Sequence, residues 1–220
     1  MKILLIAGHG QGDPGAVANG FNEADLTREV VKLLKPQLDN YADITIADTT
    51  KNWYKFENRQ AYNFRQYQYV LEVHFNAGAN KTKNGITTGT EIYITPSEET
   101  YGVETEIVQG ISNIGFKNRG VKRKNWTLIS HIKNKGVSAA LLEVCFIDDA
   151  DDLYLYREKK AEVIKAIADG IIKGFSLKPK EADDVTIIKN KIGLADETIK
   201  YLQNYKYGTE LIRKIANAVK

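Results

Sequence analysis

Over most of the chain, segments with a strand-like pattern of apolar residues alternate with segments in which apolar residues recur every three or four positions. Buried strands are predicted where apolar residues run continuously or alternate, as at Lys2–Ala7 and Val137–Val144. An amphipathic helix is predicted at Glu23–Leu38, where apolar residues recur every three or four positions and Asn22 can cap the first turn. The other predicted strands are Ala42–Ala47, Gln68–His74, Gly89–Thr95 and Trp126–Ser130. The other predicted helices are Phe56–Tyr67, Glu98–Gly115 and Asp151–Phe175.

This alternation predicts an α/β fold with a twisted, mostly parallel central sheet flanked by helices. Lys178-Pro179-Lys180 ends the pattern, so we expect two domains, at residues 1–177 and 178–220. The second is predicted to be a small all-helical module, with helices at about Asp183–Lys191, Asp196–Gln203 and Gly208–Val219. A module of roughly 40 residues is marginal on its own. Docking on the main domain, or self-association through these helices, is therefore one expectation for it.

The composition and the net charge argue against several classes of protein. Apolar residues make up 43% and charged residues 27% of the 220 residues, which excludes a largely disordered chain. The net charge of +3 resides entirely in residues 178–220, which hold nine basic and six acidic residues. Without a dense basic patch interleaved with aromatic residues, the sequence does not indicate a nucleic-acid partner.

The number of cysteines and the lengths of the apolar runs indicate the cellular compartment in which the protein is made. The single cysteine excludes an intrachain disulfide and a four-cysteine zinc site. Apolar runs are far shorter than the roughly 20 residues of a membrane span. Five apolar residues follow Lys2, too few for the core of a signal peptide. We therefore expect a protein made in the cytoplasm without a signal peptide and without a membrane span.

Four residues form the candidate chemistry. His9 follows the first predicted strand and His74 ends the third, and ligands gather at the carboxyl ends of such strands. Glu23 opens the first helix, and Glu143 ends an apolar run where an unpartnered charge is costly. Two imidazoles and one carboxylate are a catalytic zinc pattern with an open position. A carboxylate that does not bind the metal, here Glu143, then serves as general base and acid.

The spacing alone leaves other interpretations open. His9 fits a glycine-rich turn, and Gly8–Gly15 fits a weak phosphate loop that lacks the usual lysine. Glu23 fits a carboxylate that stabilises a helix N-terminus, and His74 a hydrogen-bonded core histidine. Glu143 is hardest to explain structurally, because its neighbours are so apolar.

Taken together, three motifs are specific. They are Gly8-His9-Gly10-Gln11-Gly12-Asp13-Pro14-Gly15-Ala16 with Gly20 and Glu23, His74-Phe75-Asn76-Ala77, and Leu142-Glu143-Val144-Cys145-Phe146. Over residues 1–175 the chain resembles zinc-dependent N-acetylmuramoyl-L-alanine amidases of the amidase type 3 family. The resemblance is closest to catalytic domains of phage endolysins of clostridia and related Gram-positive bacteria. The chain departs from the family at Ile6-Ala7, where Asp-Pro is frequent, and at Cys145, where glycine is frequent.

The resemblance implies a peptidoglycan hydrolase that cleaves the amide between N-acetylmuramic acid and L-alanine, acting on the cell wall after release. It implies that His9, Glu23 and His74 hold zinc and that Glu143 is catalytic. Asn76 is expected to bind substrate, with a plain turn residue as the alternative. His131 is expected to assist substrate binding, with a surface histidine as the alternative.

Several functional alternatives remain. A zinc peptidase cutting stem-peptide bonds would use the same residues, and a bacterial autolysin would have the same activity as a phage endolysin. A non-catalytic wall-binding protein would need no metal. A Cys145 nucleophile would leave His9, Glu23 and Glu143 without a joint role. For residues 178–220, wall binding is the favoured expectation, and docking or self-association is the alternative.

Overall fold

The computed structural model describes residues 1–100, 102–180 and 183–219. The chain divides into two compact units, Met1–Lys178 and a second that begins at Pro179. In the first unit the strands are β1 Lys2–Ala7, β2 Val17–Ala18, β3 Phe21–Asn22, β4 Asp43–Ile46, β5 Tyr69–Asn76, β6 Thr90–Ile94, β7 Asn118–Arg123 and β8 Ser138–Phe146. Its helices are α1 Glu23–Leu38, α2 Phe56–Arg59, α3 Gly102–Ser112, α4 Thr127–Lys133, α5 Ala150–Glu158 and α6 Lys160–Gly174, with a 3-10 turn at Phe64–Gln66.

The central sheet has the strand order β4-β1-β5-β8-β6-β7. Neighbouring strands are parallel, except that β6 runs antiparallel to β8. This sheet and its flanking helices confirm the predicted α/β fold. The central strands β1, β5 and β8 are buried on both faces, so their apolar residues run nearly continuously in the sequence.

Alternate residues of β1 enter two different cores. Ile3 and Leu5 belong to the larger core, which includes the apolar faces of α1, α3 and α6. Leu4 and Ile6 belong to the second core, which includes the apolar face of α4. This division follows from the two-residue repeat of a strand. With helices on both faces, the carboxyl ends of β1, β5 and β8 are left for loops and polar side chains.

Helix α1 has the predicted bounds and the predicted cap. The Asn22 side chain accepts a hydrogen bond from the Asp25 amide at 2.8 Å. Leu26, Val30 and Leu34 are buried on one face of the helix. The cap fixes where the helix begins, and so places Glu23 in its first turn.

Three predicted elements are wrong in type or extent. Trp126–Ser130 was predicted as a strand but contributes to α4, because Leu128, Ile129 and Ile132 are buried at helical spacing. Phe56–Tyr67 is not one helix but α2 and the separate 3-10 turn. Asp151–Phe175 is divided between α5 and α6, because Lys159 has φ −117° and ψ 27°, outside the helical region.

Two further differences concern helix α3 and strand β7. The helix predicted at Glu98–Gly115 is the shorter α3, and Tyr101 within that prediction lies outside the described residues. Strand β7 was not predicted, because its sequence is polar, contains Gly120 and is mostly half-buried. An edge strand of this kind carries little apolar periodicity.

The second unit is helical, with α7 Asp184–Ile192, α8 Asp196–Asn204 and α9 Gly208–Val219. These bounds lie within one residue of the predicted ones. Its small core consists of Ile188, Ile199, Ile212 and Ala216. Among the described residues, no helix combines the length and apolarity that a membrane crossing requires.

Close packing between α3 and α6 depends on Gly170. A Cβ there would lie 2.7 Å from the Ile107 backbone. We expect Gly170→Ala to separate the two helices and to lower the free energy of unfolding by about 1–3 kcal/mol, measured by denaturant titration. Gly102→Ala is the control, since a Cβ there meets none of the described atoms within 4 Å. It should change stability by less than about 0.5 kcal/mol; equal effects would contradict the packing argument.

Candidate active site

The loop after β1 carries His9 in a left-handed backbone conformation, with φ 63°. The Gly8 amide donates to the Val73 carbonyl at 2.9 Å, which joins this loop to β5. A Cβ on Gly8 would lie 2.4 Å from His74 Cε1, so the close approach of the His74 ring requires glycine here. The first histidine is therefore presented by a strained turn packed directly against the second.

Arg28 of α1 fixes the same loop through backbone carbonyls. Its Nη1 donates to the Gly8 carbonyl at 3.1 Å, and its Nη2 donates to the His9 carbonyl at 3.2 Å and the Thr49 carbonyl at 2.7 Å. A guanidinium group with several fixed donors suits this role. Arg28 thereby holds the backbone of His9 against the first turn of α1.

Glu23 lies between the two histidines. Its Oε2 is 2.9 Å from His9 Nε2, and its Oε1 is 2.8 Å from His74 Nδ1. Its oxygens also accept hydrogen bonds from the Ala16 and Phe75 amides, each at 3.0 Å. Burial acts to raise the pKa of Glu23, but the hydrogen bonds and charges of the two histidines outweigh it and hold the pKa well below its ordinary value.

His9, Glu23 and His74 each offer one ligand atom, and these atoms all lie within 4.8 Å of one another. The three residues come from a loop, a helix and a strand. The predicted association of these residues in space is thus present in the structure. Two imidazole nitrogens and a carboxylate oxygen are the donor set of many catalytic zinc sites.

The remaining ring nitrogens contact two other carboxylates. His9 Nδ1 lies 3.0 Å from Asp13 Oδ2, which also accepts a hydrogen bond from Asn52 at 3.0 Å. His74 Nε2 lies 3.0 Å from Glu72 Oε1. The sequence motifs predict no role for Asp13 or Glu72. For Glu72 a signal existed, since a charged residue two positions before His74 in an apolar strand must share its face.

Glu143 on β8 pairs in register with His74 on β5. Its Oε2 is buried and has no hydrogen-bond partner among the described residues. Burial raises the pKa of Glu143 to about 7; the charge of His74 opposes this shift, and the charges of Glu23 and Glu91 add to it. A carboxyl group with a pKa near neutrality can both accept and return a proton.

These side chains line one cavity of about 390 Å³. His9, Glu23, His74 and Glu143 form part of its polar lining, and Trp53, Tyr54 and Trp126 add aromatic surface. Asn76 also lines the cavity, so the structure brings this predicted substrate residue to the site. Concave sites with an apolar wall and a few convergent polar groups are typical of ligand binding.

Asn76 is oriented by Glu91. Its Nδ2 donates to Glu91 Oε1 at 2.8 Å, and its Oδ1 accepts from the Ala77 amide at 2.9 Å. Glu91 is buried and is also paired with Arg119 and Lys122. Asn76 therefore has a fixed side-chain orientation beside the cavity.

His131 is not brought to this cavity. It lies on α4, and its ring centroid is 6.0 Å from that of Phe64. Burial lowers the pKa of His131. Since His131 is absent from the cavity lining, the geometry gives no support to its predicted role in substrate binding.

Cys145 follows Glu143 by two residues but is fully buried in the larger core. Burial raises the pKa of its thiol well above the ordinary value. A nucleophilic cysteine needs an accessible thiolate. The structure therefore contradicts the alternative of Cys145–His catalysis.

An acidic stretch after β8 holds the loop that follows Asn76. Asp148 accepts hydrogen bonds from the amides of Gly78, Ala79 and Asn80 at 2.7, 3.2 and 2.9 Å. Asp152 accepts from the Gly89 amide at 2.9 Å. The loop after Asn76 and the residue before β6 are thus fixed by carboxylates bound to backbone amides.

Comparisons with known proteins concern the family and the fold of the chain. The family description N-acetylmuramoyl-L-alanine amidase (Amidase_3) matches residues 3–173. An endolysin of Bacillus phage SPP1 is 29% identical over 189 residues, covering 81% of this chain and 67% of the endolysin. An uncharacterized protein of Clostridium perfringens is 28% identical over 177 residues, covering 78% of this chain and 51% of its own, so this chain spans about half of that relative. The catalytic domain of the amidase CwlV from Paenibacillus polymyxa shares the fold, with a TM-score of 0.66 and 21% identity over 81% of this chain and 100% of its own.

The Asp148 contacts give a test of loop order. We expect Asp148→Ala to speed hydrogen exchange at the Gly78, Ala79 and Asn80 amides by about tenfold or more, since each loses its acceptor. The control is Asp39→Ala, which removes an exposed partner of Lys35 on α1 and should leave these three amides unchanged. Unchanged exchange in Asp148→Ala would show that the loop is held by other contacts.

Proposed function

The chain belongs to the N-acetylmuramoyl-L-alanine amidase family, and on that premise we propose that it is a zinc-dependent hydrolase of peptidoglycan. The bond cleaved is the amide between N-acetylmuramic acid and L-alanine. The observation that carries the proposal is the convergence of His9, Glu23 and His74 in a cavity shared with the unpartnered Glu143 oxygen. Since the chain spans only part of some relatives, the proposal concerns the unit Met1–Lys178.

The residues present fit zinc. His9 Nε2, His74 Nδ1 and a Glu23 oxygen face one another, and the opposite ring nitrogens are engaged by other carboxylates. Such outer contacts orient imidazole ligands and make them more basic. Zinc held by His9, Glu23 and His74 would supply a Lewis acid that polarises the scissile carbonyl and lowers the pKa of a water.

Glu143 is the proposed general base and acid. It takes a proton from the attacking water as the water oxygen bonds to the carbonyl carbon. It then returns that proton to the L-alanine nitrogen as the C–N bond breaks. The products are the muramic acid carboxylate and a free peptide amine. Burial raises the pKa of Glu143, which strengthens its carboxylate as a base, and a pKa near neutrality still lets the protonated group return the proton.

Substrate contacts are proposed for the cavity wall. The side chain of Asn76, fixed by Glu91, presents polar groups to the substrate close to Glu143. Tyr54 and Trp126 offer flat apolar surface for a sugar or peptide group. His131 has no proposed role.

A role as a phage endolysin, acting on the cell wall after release, is supported by the similarity to the endolysin of Bacillus phage SPP1. A bacterial autolysin would carry the same site. Hydrolysis of isolated walls does not separate these two roles.

Two substitutions test the site. We expect His74→Ala to lose both zinc and wall hydrolysis, because it removes a ligand nitrogen. Glu143→Gln should retain zinc and lower turnover by roughly 10²–10⁴-fold, because it removes the acid–base group. Bound metal is measured by elemental analysis, and hydrolysis by the release of L-alanine amines from purified walls.

His131→Ala is the matched control, since it removes a histidine that lies outside the cavity. It should retain both zinc and activity. New amines on residues other than L-alanine would indicate a stem-peptide peptidase instead. A wild-type protein that binds no zinc and releases no amine, even with zinc added, would overturn the proposal.

For the second unit, we propose wall binding. Residues 178–220 carry the entire net charge of +3, which favours attraction to anionic wall polymers. The unit also has its own core, formed by Ile188, Ile199, Ile212 and Ala216. Self-association through its helices is the competing proposal.

A chain ending at Lys178 distinguishes these two roles. We expect the full chain to sediment with purified cell walls more completely than the shortened chain, and the difference to shrink as salt is raised. Suppose that the two chains sediment equally with walls, and that analytical ultracentrifugation gives the full chain a mass above that of one monomer. That result would favour self-association.

A further inference from the structure

Each histidine of the candidate zinc site contacts an outer carboxylate, and the two carboxylates differ in burial. The side chain of Asp13, beside His9 Nδ1, is 43% exposed. The side chain of Glu72, beside His74 Nε2, is 7% exposed. A hydrogen bond shielded from water is electrostatically stronger than an exposed one. Of the two contacts, the one between Glu72 and His74 is therefore the better placed to control the orientation of a ligating histidine.

The strand itself determines the position of Glu72. Glu72 and His74 are two residues apart on β5, so both side chains lie on the cavity face of the sheet. The residues between and before them, Val73 and Leu71, enter the larger core on the other face. Because β5 is paired with both β1 and β8, this register cannot shift.

Glu72 is not a member of the converging ligand group. The two nitrogens of an imidazole ring point in different directions, and His74 Nδ1 is the one that faces Glu23, at 2.8 Å. Glu72 Oε1 instead meets Nε2, at 3.0 Å. A carboxylate at Nε2 accepts a hydrogen bond from the ring N–H there and so keeps the proton on Nε2, which leaves the Nδ1 lone pair directed at the cation position.

We propose that Glu72 is a positioning residue for His74, which accepts the Nε2–H hydrogen bond, fixes the plane of the ring and keeps Nδ1 as the ligand nitrogen. The inference rests on the proposed zinc-dependent function, but its central claim concerns the contact between Glu72 and His74. Glu72 acts through His74 and takes no part in proton transfer.

Zinc affinity is the first measurement, made by competition with a chromogenic chelator. Glu72→Ala should weaken zinc binding by about 10–100-fold, as loss of such outer contacts does in other zinc sites. Glu72→Gln keeps an oxygen that can accept the Nε2–H bond, so it should recover most of the affinity. This rescue distinguishes a directed hydrogen bond from a general effect of negative charge.

Glu104→Ala is the matched control. Glu104 is also a buried carboxylate, and it accepts a hydrogen bond from the Tyr69 hydroxyl at 2.8 Å, at the other end of β5. It does not line the cavity. Its substitution tests the effect of removing a buried carboxylate beside this strand, and zinc affinity should equal that of the wild type.

The second measurement does not depend on zinc. In proton–nitrogen NMR spectra of the metal-free protein, His74 should show a slowly exchanging Nε2–H signal. Glu72→Gln should keep this signal, and Glu72→Ala should lose it to exchange with water.

Wild-type zinc affinity in Glu72→Ala would overturn the inference, and so would an unchanged Nε2–H signal in that variant. Equal losses of affinity in Glu72→Gln and Glu72→Ala would also overturn it, and would assign Glu72 a purely electrostatic effect. If the wild type binds no zinc, the proposed function fails, while the NMR signal still decides whether Glu72 positions His74.

Discussion

Two imidazoles share one carboxylate in this protein, and the shared group, Glu23, joins three separate stretches of chain. His9 comes from the loop after β1, Glu23 from the start of α1, and His74 from β5. A buried carboxylate is costly unless its lone pairs are used. Glu23 uses them on both histidines and on the Ala16 and Phe75 amides, and its place in the first turn of a helix is favourable as well. Loop, helix and strand must therefore assemble together.

The charges around this centre are distributed unevenly. Glu91 contacts two cations, Arg119 and Lys122, and is held as a carboxylate that orients Asn76. Glu143, on the adjacent strand, does not contact these cations, so burial dominates its protonation. Two acidic residues paired across β6 and β8 thus differ in their surroundings: Glu91 orients Asn76, and proton transfer is the role proposed for Glu143. The difference arises from their partners rather than from their residue type.

The sequence was most informative where a long segment had one clear period. Helix α1 with its Asn22 cap, strand β1 and the family were predicted and are confirmed. Short segments were ambiguous: Trp126–Ser130 has too few residues to distinguish a strand from the first turns of α4. Among the candidate site residues, strand ends brought His9 and His74 together as expected.

The sequence does not predict the contacts around the histidines. The loop conformation of His9 depends on Arg28, which bonds backbone carbonyls and leaves no pattern in the chain. The position of His131 depends on how α4 packs, and a short segment such as Trp126–Ser130 does not predict that packing. Tertiary packing decides such contacts, and the periodicity of the sequence carries no sign of them.

The absence of a side chain at Gly8 has a consequence for how mutational maps of this protein should be interpreted. Any Cβ at position 8 would overlap the His74 ring, although Gly8 itself contributes no chemistry. In a saturation screen, this position would therefore tolerate no replacement and would score like a ligand. A ranking of positions only by how poorly they tolerate substitution would mistake Gly8 for a catalytic residue, although position 8 requires only space. A measurement of how far His74 is displaced in a Gly8 variant would distinguish the steric requirement from a catalytic role.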